Sequence, residues 1–172
     1  MIKIIKTKLK GVLLIKPQIF QDRRGEYVET YNEALYRRRG IRVKFIQDDI
    51  SVSRKGVIRG IHGDPKTWKL ISCLRCKFYL VVVNCNAKSR DFGKWQSFVL
   101  IEKDKRQVLI PPNHGVAHLA LANKIIFHYK QSTNYAPSIQ FTYRWNDPRF
   151  KIRWPIKHPM LSKRDSLGRY TD

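Results

Sequence analysis

Short runs of alternating hydrophobic and polar residues, rich in Val, Ile, Phe and Tyr, fill most of the chain. Alternation with a period of two, broken by turn residues at regular spacing, is typical of half-buried strands in a sandwich or barrel. The runs that predict strands are IKIIKT, GVLLIKP, GEYVETY, VKFIQD, GVIRGIH, KLISCL, FYLVVVNC, WQSFVLI, QVLIPP, VAHLALA, IIFHYKQ and FTYRW.

One short helix is predicted within this β pattern. Asn32 is a suitable N-cap, Gly40 is a suitable terminator, and Arg37–Arg39 place cations in the last turn, where they oppose the helix dipole. The stretch 147–172 carries three prolines and is predicted to be an extended loop. The pattern therefore predicts an all-β sandwich or barrel with one short helix, formed by residues 1–172 as a single domain.

The charge is the unusual feature of the composition. Lys and Arg number 35 against 13 Asp and Glu, which gives a net charge of +22 and predicts an anionic partner. Nucleic acid, an anionic membrane surface and a phosphorylated small molecule all fit, and so does a lysine-rich surface without any partner. The chain has no apolar stretch near the roughly 20 residues of a membrane helix, and a cytoplasmic protein is expected.

The three cysteines raise the question of a metal site. An odd number of cysteines argues against a disulfide framework. Cys73 and Cys76 have a C-x-x-C spacing, and His114 and His118 could complete a zinc site. Cys73 lies in the apolar run KLISCL, however, so buried free thiols are favoured over zinc. No His-x-His pair of a metal-binding cupin is present, and no catalytic metal is expected.

Polar residues inside strand-like runs are the candidates for chemistry. Arg59, His62 and Lys69 lie in or beside neighbouring strands, and supply a possible base with two cations that stabilise anions. Tyr129 in IIFHYKQ is a possible general acid, because a phenol keeps its proton at neutral pH. Asp165 could fix a histidine tautomer. Taken singly, each residue also fits a structural role, as a core histidine, a snorkelling cation or a surface acid.

Taken in order, these clusters resemble the dTDP-4-dehydrorhamnose 3,5-epimerase family of nucleotide-sugar epimerases. The similarity runs from GVLLIKP to LSKRD. Each anchor is weak alone, whereas the ordered set is specific. The anchors are GVLLIKPQIFQDRRGEYVETYN, FIQDDISVSRKGVIRGIH, the KL after the His loop, FGKW, the IPP and AH stretch, YKQSTNYAP, RWNDP and LSKRD.

The resemblance implies a cupin-like jelly roll, an intertwined homodimer and epimerisation without cofactor at C3, C5 or both of a 4-keto-6-deoxy sugar linked to a nucleotide diphosphate, for surface-polysaccharide biosynthesis. By the same resemblance, His62 is the base, Asp165 is its partner, Tyr129 is the acid on the opposite face and Lys69 stabilises the enolate oxygen. The family's N-terminal segment reaches into the partner's site. The implied substrate-binding residues are Arg24, Glu29, Gln47, Asp49, Arg59, His118, Tyr135 and Arg164.

Departures from the family's usual pattern leave the substrate open. Gly63 and Asp64 stand where an aromatic residue and a glutamine are usual, Asp49 replaces an asparagine, Asn84 an aspartate, and Gln140 an acidic residue. The RGIHGD form looks more like relatives that act on GDP-linked 4-keto-6-deoxy-heptoses. The acid–base residues are intact. The sugar can be dTDP- or GDP-linked, and epimerisation can take place at C3, at C5 or at both.

Two other functions fit parts of the pattern. A ketoisomerase or a C3-only epimerase would keep the fold and change the reaction. A nucleic-acid-binding β-barrel would use the charge of +22 and the aromatic residues interleaved with Lys and Arg. The cations do not mark one strand face and no nucleic-acid-binding motif is present, so the enzyme is the favoured interpretation.

Overall fold

The structure, a computed structural model, describes residues 2–171, and these fold almost entirely into β-strands. The strands are β1 (Lys3–Lys6), β2 (Leu13–Lys16), β3 (Ile19–Asp22), β4 (Gly25–Val28), β5 (Gln47–Ser53), β6 (Ile58–Gly63), β7 (Lys69–Arg75), β8 (Lys77–Asn84), β9 (Trp95–Ile101), β10 (Gln107–Ile110), β11 (His114–Ala120), β12 (Ile125–Gln131) and β13 (Phe141–Thr142). Two short α-helices, α1 (Glu33–Arg38) and α2 (Lys163–Ser166), complete the fold with 3₁₀ turns at Glu102–Asp104 and Pro137–Ile139.

Two antiparallel sheets face each other in a cupin-like jelly roll. The large sheet has the order β1-β2-β10-β7-β12-β5, and the small sheet has the order β13-β6-β11-β8-β9. The hairpin β3–β4 forms a separate two-stranded ribbon. The all-β prediction is confirmed. The non-consecutive neighbours in both sheets show that the chain crosses repeatedly between them, which places residues distant in sequence around one interior.

The apolar part of the interior lies between the two sheets. Ile71 and Val108 from the large sheet pack with Phe78, Leu80 and Leu100 from the small sheet, all fully buried. Burying each such side chain contributes roughly 1.5–3 kcal/mol of transfer free energy. This cluster holds the sheets together at one end of the barrel and leaves the other end available for polar groups.

Each sheet is covered on part of its outer face by chain segments. Residues 31–45, including α1, lie on the large sheet, where Tyr36 and Ile41 bury against Ile15 and Leu109. Asn32 caps α1 as predicted, because its side-chain oxygen accepts a hydrogen bond from the Leu35 amide. The segment that follows β13 covers the small sheet with a second cluster that includes Tyr143 and Phe150.

Two predictions of secondary structure were wrong. Only the last two residues of the run VKFIQD are in a strand, because β5 starts at Gln47. In β5 the polar Gln47, Asp49 and Ser51 point inward while Ile50 and Val52 are exposed, so the strand reverses the usual hydrophobic pattern. The C-terminal stretch, predicted as loop, contains α2, which has four residues and is too short to show a helical period.

A glycine is required at position 63 in this packing. A Cβ there would lie 2.3 Å from the Phe141 ring and 2.4 Å from the His114 carbonyl oxygen. Gly63 is the cross-strand partner of Phe141 in the β6–β13 pair. The Phe141 ring therefore fills the space that a side chain at position 63 would need, which accounts for one departure from the family pattern.

The described residues offer neither a membrane span nor a metal cluster. Between residues 2 and 171, no helix is both long and apolar enough to cross a membrane. In the same part of the chain, no three His, Cys, Asp or Glu residues are grouped to hold a metal ion. Cys73 and Cys85 are buried thiols, and burial raises the pKa of each to about 12, which makes them poor nucleophiles.

Candidate active site

A cavity of about 470 Å³ opens at the polar end of the barrel. Strands β5, β7 and β12 of the large sheet form one wall, and β6 and β11 of the small sheet form the other, with α2 at the rim. Most of the residues implied by the family resemblance line this cavity. They are Gln47, Asp49, Arg59, His62, Lys69, His118, Tyr129, Tyr135, Arg164 and Asp165.

His62 and Asp165 form a tight hydrogen-bonded pair. The Nε2 atom of His62, on β6, lies 2.6 Å from Oδ1 of Asp165, in α2. An ionised carboxylate is only an acceptor, so Nε2 carries the proton and Nδ1 of a neutral imidazole keeps its lone pair. The pair is therefore arranged so that His62 accepts a second proton on Nδ1 while Asp165 stabilises the imidazolium that forms.

Asp165 is held by three donors. Burial alone would raise the pKa of its carboxyl, but the hydrogen bond and charge of His62 outweigh this. The Ser162 hydroxyl donates to Oδ2 at 2.8 Å, and the Gly60 amide donates to Oδ1 at 3.4 Å. Together these interactions lower the pKa of Asp165, which keeps the buried carboxyl ionised.

Tyr129 projects from the opposite sheet. It lies on β12 of the large sheet, whereas His62 lies on β6 of the small sheet, and both line the cavity. Burial, followed by the negative charge of Asp49, raises the pKa of the Tyr129 phenol. Tyr129 therefore holds its proton across the physiological range and is suited to act as an acid.

Lys69 supplies a buried positive charge at the start of β7. Burial lowers the pKa of its ammonium group, and the nearby charge of Asp64 opposes this shift. Among the described residues 2–171, Nζ of Lys69 takes part in no ion pair. A cation without a protein anion in direct contact is available to a negative oxygen of a bound molecule.

His118 is a neutral wall of the cavity. It stacks on Phe127 at 4.1 Å between ring centroids, and burial, with Arg59 and His62 nearby, lowers its pKa to about 3. Its Nε2 atom is buried without a hydrogen-bond partner in the described part of the chain.

Two implied binding residues lie elsewhere. Arg24, in the β3–β4 turn, pairs with Asp22 at 2.6 Å and has a side chain 85% exposed. Glu29 accepts a hydrogen bond from Asn32 next to α1. Neither residue lines the cavity of its own chain.

The structure adds residues that sequence reasoning did not select. Ser162 caps α2 and orients Asp165. Ser162 belongs to the LSKRD motif of the sequence, but its hydrogen bonds with Asp165 are visible only in the structure. Gln131 on β12 donates to Asp49 at 2.9 Å. Gln140 accepts from Arg164 at 2.8 Å, which positions that guanidinium at the rim.

The arrangement fits proton transfer on both faces of one bound molecule. A base on one sheet, an acid on the facing sheet and a buried cation between strands can remove a proton beside a carbonyl, stabilise the enolate and return a proton from the other side. Three positive side chains, Arg59, Lys69 and Arg164, give the cavity an affinity for anions.

The chain is similar to known proteins over nearly its whole length. Residues 6–171 match the family model described as dTDP-4-dehydrorhamnose 3,5-epimerase. The dTDP-4-dehydrorhamnose 3,5-epimerase of Salmonella typhimurium is 34% identical over 177 aligned positions, which cover 100% of this chain and 97% of the relative.

Solved structures give the same result. The dTDP-4-dehydrorhamnose 3,5-epimerase of Bacillus anthracis, with TDP and PPi bound, has a TM-score of 0.95 at 31% identity and covers 99% of this chain and 100% of that one. A Legionella pneumophila dTDP-6-deoxy-D-glucose-3,5-epimerase in complex with dTDP-4-keto-L-rhamnose has a TM-score of 0.94 at 32% identity, with 99% and 93% covered.

The pair of His62 and Asp165 predicts a pH-dependent stability. Because folding lowers the pKa of Asp165, its stabilisation is present above about pH 4, the ordinary carboxyl value, and is lost as the pH falls through the folded value. Asp165→Asn should lower the free energy of unfolding by about 1–3 kcal/mol at pH 7, where a charge-assisted hydrogen bond is lost. Urea unfolding at pH 7 and pH 3 measures the difference.

The difference in the free energy of unfolding between Asp165→Asn and the wild type should be smaller at pH 3 than at pH 7. The matched control is Asp91→Asn, which removes an exposed carboxylate paired with Lys94 and should leave the urea midpoint unchanged. An Asp165→Asn deficit of the same size at both pH values would contradict a stabilising ionised carboxylate.

Proposed function

Because the chain belongs to the dTDP-4-dehydrorhamnose 3,5-epimerase family, we propose that it inverts carbons beside the 4-keto group of a nucleotide-linked 6-deoxy sugar. The observation that carries the proposal is the placement of His62 and Tyr129 on facing sheets of one cavity. In this proposal residues 1–172 act as one epimerase domain, and the reaction belongs to sugar biosynthesis.

The first step is removal of a proton from C3 or C5. The C4 ketone acidifies both positions, because the electron pair left by the proton delocalises onto O4. Nδ1 of His62 takes the proton, and Asp165 at 2.6 Å stabilises the imidazolium. Lys69 faces the negative charge on O4, where a buried cation has a larger effect than it would in water.

The second step returns a proton from the opposite face. The enolate collapses to the ketone as carbon takes the phenolic proton of Tyr129, and the configuration inverts. Proton uptake by the tyrosinate and loss from His62 restore the enzyme. Each of the two groups contributes typically 10²–10⁴-fold to the rate. No electrons are transferred, so the step balances without a redox cofactor.

The substrate is proposed to be a nucleotide-diphosphate sugar. The Legionella relative is in complex with dTDP-4-keto-L-rhamnose, which supports a dTDP-linked sugar. A GDP-linked 4-keto-6-deoxy-heptose is the alternative, on the RGIHGD pattern around His62. Arg59 and Arg164 at the cavity are positively charged and so complement the negative diphosphate.

A cytoplasmic location is also part of the proposal. The three cysteines are all free thiols, which fits a reducing compartment such as the cytosol.

A homodimer is part of the proposal. The hairpin β3–β4 stands out from the barrel with Phe20 and Tyr27 51% and 68% exposed. On the outer face of the large sheet, Ile50 and Val52 are also more than half exposed. Exposed apolar side chains concentrated on a sheet edge and a projecting ribbon are typical of a surface that a second subunit covers. In such a dimer Arg24 would serve the partner's cavity.

His62→Asn tests the base directly. The variant should lose exchange of the C3 and C5 hydrogens with D₂O, by at least about 100-fold, because no other base in the cavity takes the position of Nδ1. Exchange is followed by NMR on dTDP-4-keto-6-deoxyglucose and on a GDP-4-keto-6-deoxy-heptose in parallel. Substrate binding, measured by calorimetry, should persist.

The matched control is His128→Asn. His128 lies next to Tyr129 but faces the other side of β12, where it contacts Asp48. This variant should exchange the substrate hydrogens like the wild type. Exchange retained in His62→Asn would show that His62 is not the base. Absence of exchange in the wild type with both substrates would refute the proposed reaction.

The dimer is tested by sedimentation. Wild-type protein should sediment as twice the chain mass of 20.4 kDa at micromolar concentration. Ile50→Lys combined with Val52→Lys should shift it towards monomer, because two charges are placed in an apolar contact. A wild-type monomer would contradict the dimer, and so would a double variant that dimerises as tightly as the wild type.

A further inference from the structure

Lys69 is a buried cation whose neighbours in the sheet carry no charge. Its side chain lines the cavity from the first position of β7, and the residue is 9% exposed. The cross-strand partners of Lys69 are Gln131 on β12 and Ile110 on β10. A buried ammonium group tends to lose its proton unless a negative charge lies nearby. The charge of Lys69 therefore needs support from outside the sheet.

The carboxylates that line the cavity serve other groups. Asp165 pairs with His62 at 2.6 Å. Asp49 lies on β5, which is separated from β7 by strand β12, and it accepts hydrogen bonds from the side-chain amides of Gln47 and Gln131. Neither Asp165 nor Asp49 is among the causes that shift the pKa of Lys69. The countercharge of the lysine must come from another carboxylate.

The cations of the cavity act against the charge of Lys69. Burial lowers the pKa of Lys69 most, and the charge of Arg164 lowers it further. Arg164 donates to the Gln140 side chain at 2.8 Å, and this neutral acceptor leaves the guanidinium charge uncompensated. Arg59 donates to the Ser53 hydroxyl, which is neutral as well. The remaining titratable side chains of the cavity are His118, Tyr129 and Tyr135.

Asp64 is a buried carboxylate at the other end of the short loop that leads to Lys69. Residues 64–68 join β6 to β7. Asp64 is 4% exposed and, within the described part of the chain, takes part in no ion pair. Its Oδ1 atom accepts hydrogen bonds from the backbone N–H groups of Lys66 at 2.9 Å and Thr67 at 2.7 Å. These donors are neutral amides, so no contacting cation cancels the negative charge of Asp64.

Both ends of this loop are fixed to neighbouring segments, which fixes the place of the carboxylate. The carbonyl oxygen of Asp64 accepts a hydrogen bond from the Asn113 backbone N–H at 2.9 Å. At the other end, the hydroxyl groups of Thr67 and Thr133 are hydrogen bonded at 2.6 Å. After burial, which lowers the pKa of Lys69, the charge of Asp64 is the next largest influence on it and raises it.

We propose that Asp64 is a positioning residue that acts through Lys69: its buried carboxylate is the countercharge that keeps the ammonium group protonated without occupying it. A carboxylate in direct contact would compete with the enolate oxygen for this cation, whereas one at the other end of the loop supports the charge and leaves Nζ for the substrate. The inference rests on the proposed epimerase function, in which Lys69 stabilises the charge on O4. Among the described residues, those that line the cavity do not include Asp64, so it acts without touching the substrate.

Asp64→Asn tests this role without any substrate. Asparagine keeps a side-chain oxygen for the two backbone N–H groups of the loop and removes only the charge, so the circular dichroism spectrum should match that of the wild type. Titration of the lysine side-chain signals by NMR measures the pKa of Lys69, and the signal is assigned by its loss in Lys69→Arg. The pKa of Lys69 should be lower in Asp64→Asn than in the wild type, because the supporting negative charge is gone.

The same change should appear in the kinetics on an active sugar nucleotide. Because activity requires a protonated Lys69, the alkaline limb of the profile of kcat/KM against pH should fall at a lower pH in Asp64→Asn. Above that limb, kcat/KM should be lower than in the wild type by about tenfold for each pH unit that the limb moves. In a Lys69→Arg background, Asp64→Asn should leave the limb in place, because the guanidinium keeps its proton.

Asp104→Asn is the matched control. Asp104 also accepts a hydrogen bond from a backbone N–H two residues ahead, that of Arg106 at 3.2 Å, but it lies in the 3₁₀ turn Glu102–Asp104, outside the lining of the cavity. This variant should keep the wild-type pKa of Lys69 and the wild-type limb. An unchanged pKa of Lys69 in Asp64→Asn would overturn the proposal. A loss of kcat/KM by the same factor at every pH would also overturn it, because a purely structural role gives that result.

The outcomes separate the two hypotheses. Wild-type turnover of a 4-keto sugar nucleotide, together with a pKa of Lys69 that does not respond to Asp64→Asn, would refute the role of Asp64 and leave the epimerase intact. A wild type that exchanges no hydrogen with any 4-keto sugar nucleotide would refute the proposed function, and the catalytic role of Asp64 would fall with it, whatever the titration shows.

Discussion

The hydrogen bond between His62 and Asp165 joins strand β6 to the C-terminal segment of the chain. Asp165 arrives on a four-residue helix, and its second oxygen is held by Ser162, the cap of that helix. The Gly60 amide completes the set from β6 itself. The C-terminal segment is thereby bound to strand β6, which carries His62. This contact sets the tautomer of a neutral His62: the proton is on Nε2 and the lone pair is on Nδ1.

The two sheets divide the interior into an apolar end and a reactive end. The division occurs within single strands: Phe127 packs in the apolar cluster while Tyr129, two residues on, lines the cavity. On β7, Cys73 is in the core and Lys69 is at the site. Because the apolar end fixes the spacing of the sheets, Tyr129 on one sheet and His62 on the other are held across the cavity without either residing on a loop.

The sequence was informative where residues followed the ordinary alternation and uninformative where they reversed it. The strands that carry His62, Lys69 and Tyr129 were predicted from their apolar neighbours. Strand β5 was misplaced, because its apolar residues face out and its polar ones face in. The orientation of Asp49 towards Tyr129 depends on strand register, which a single sequence does not display. Ser162 belonged to a recognised motif, but its contact with Asp165 required coordinates.

In the proposed mechanism a base and an acid act from opposite walls of the cavity, and Tyr129→Phe in D₂O tests this most directly. Deuterium wash-in at C3 or C5 and formation of the inverted product are followed together by NMR on the active substrate. We expect wash-in to persist, because His62 still removes and returns the proton on its own face, while inversion falls by at least about 100-fold. Equal loss of wash-in and inversion, or inversion at the wild-type rate, would contradict the account.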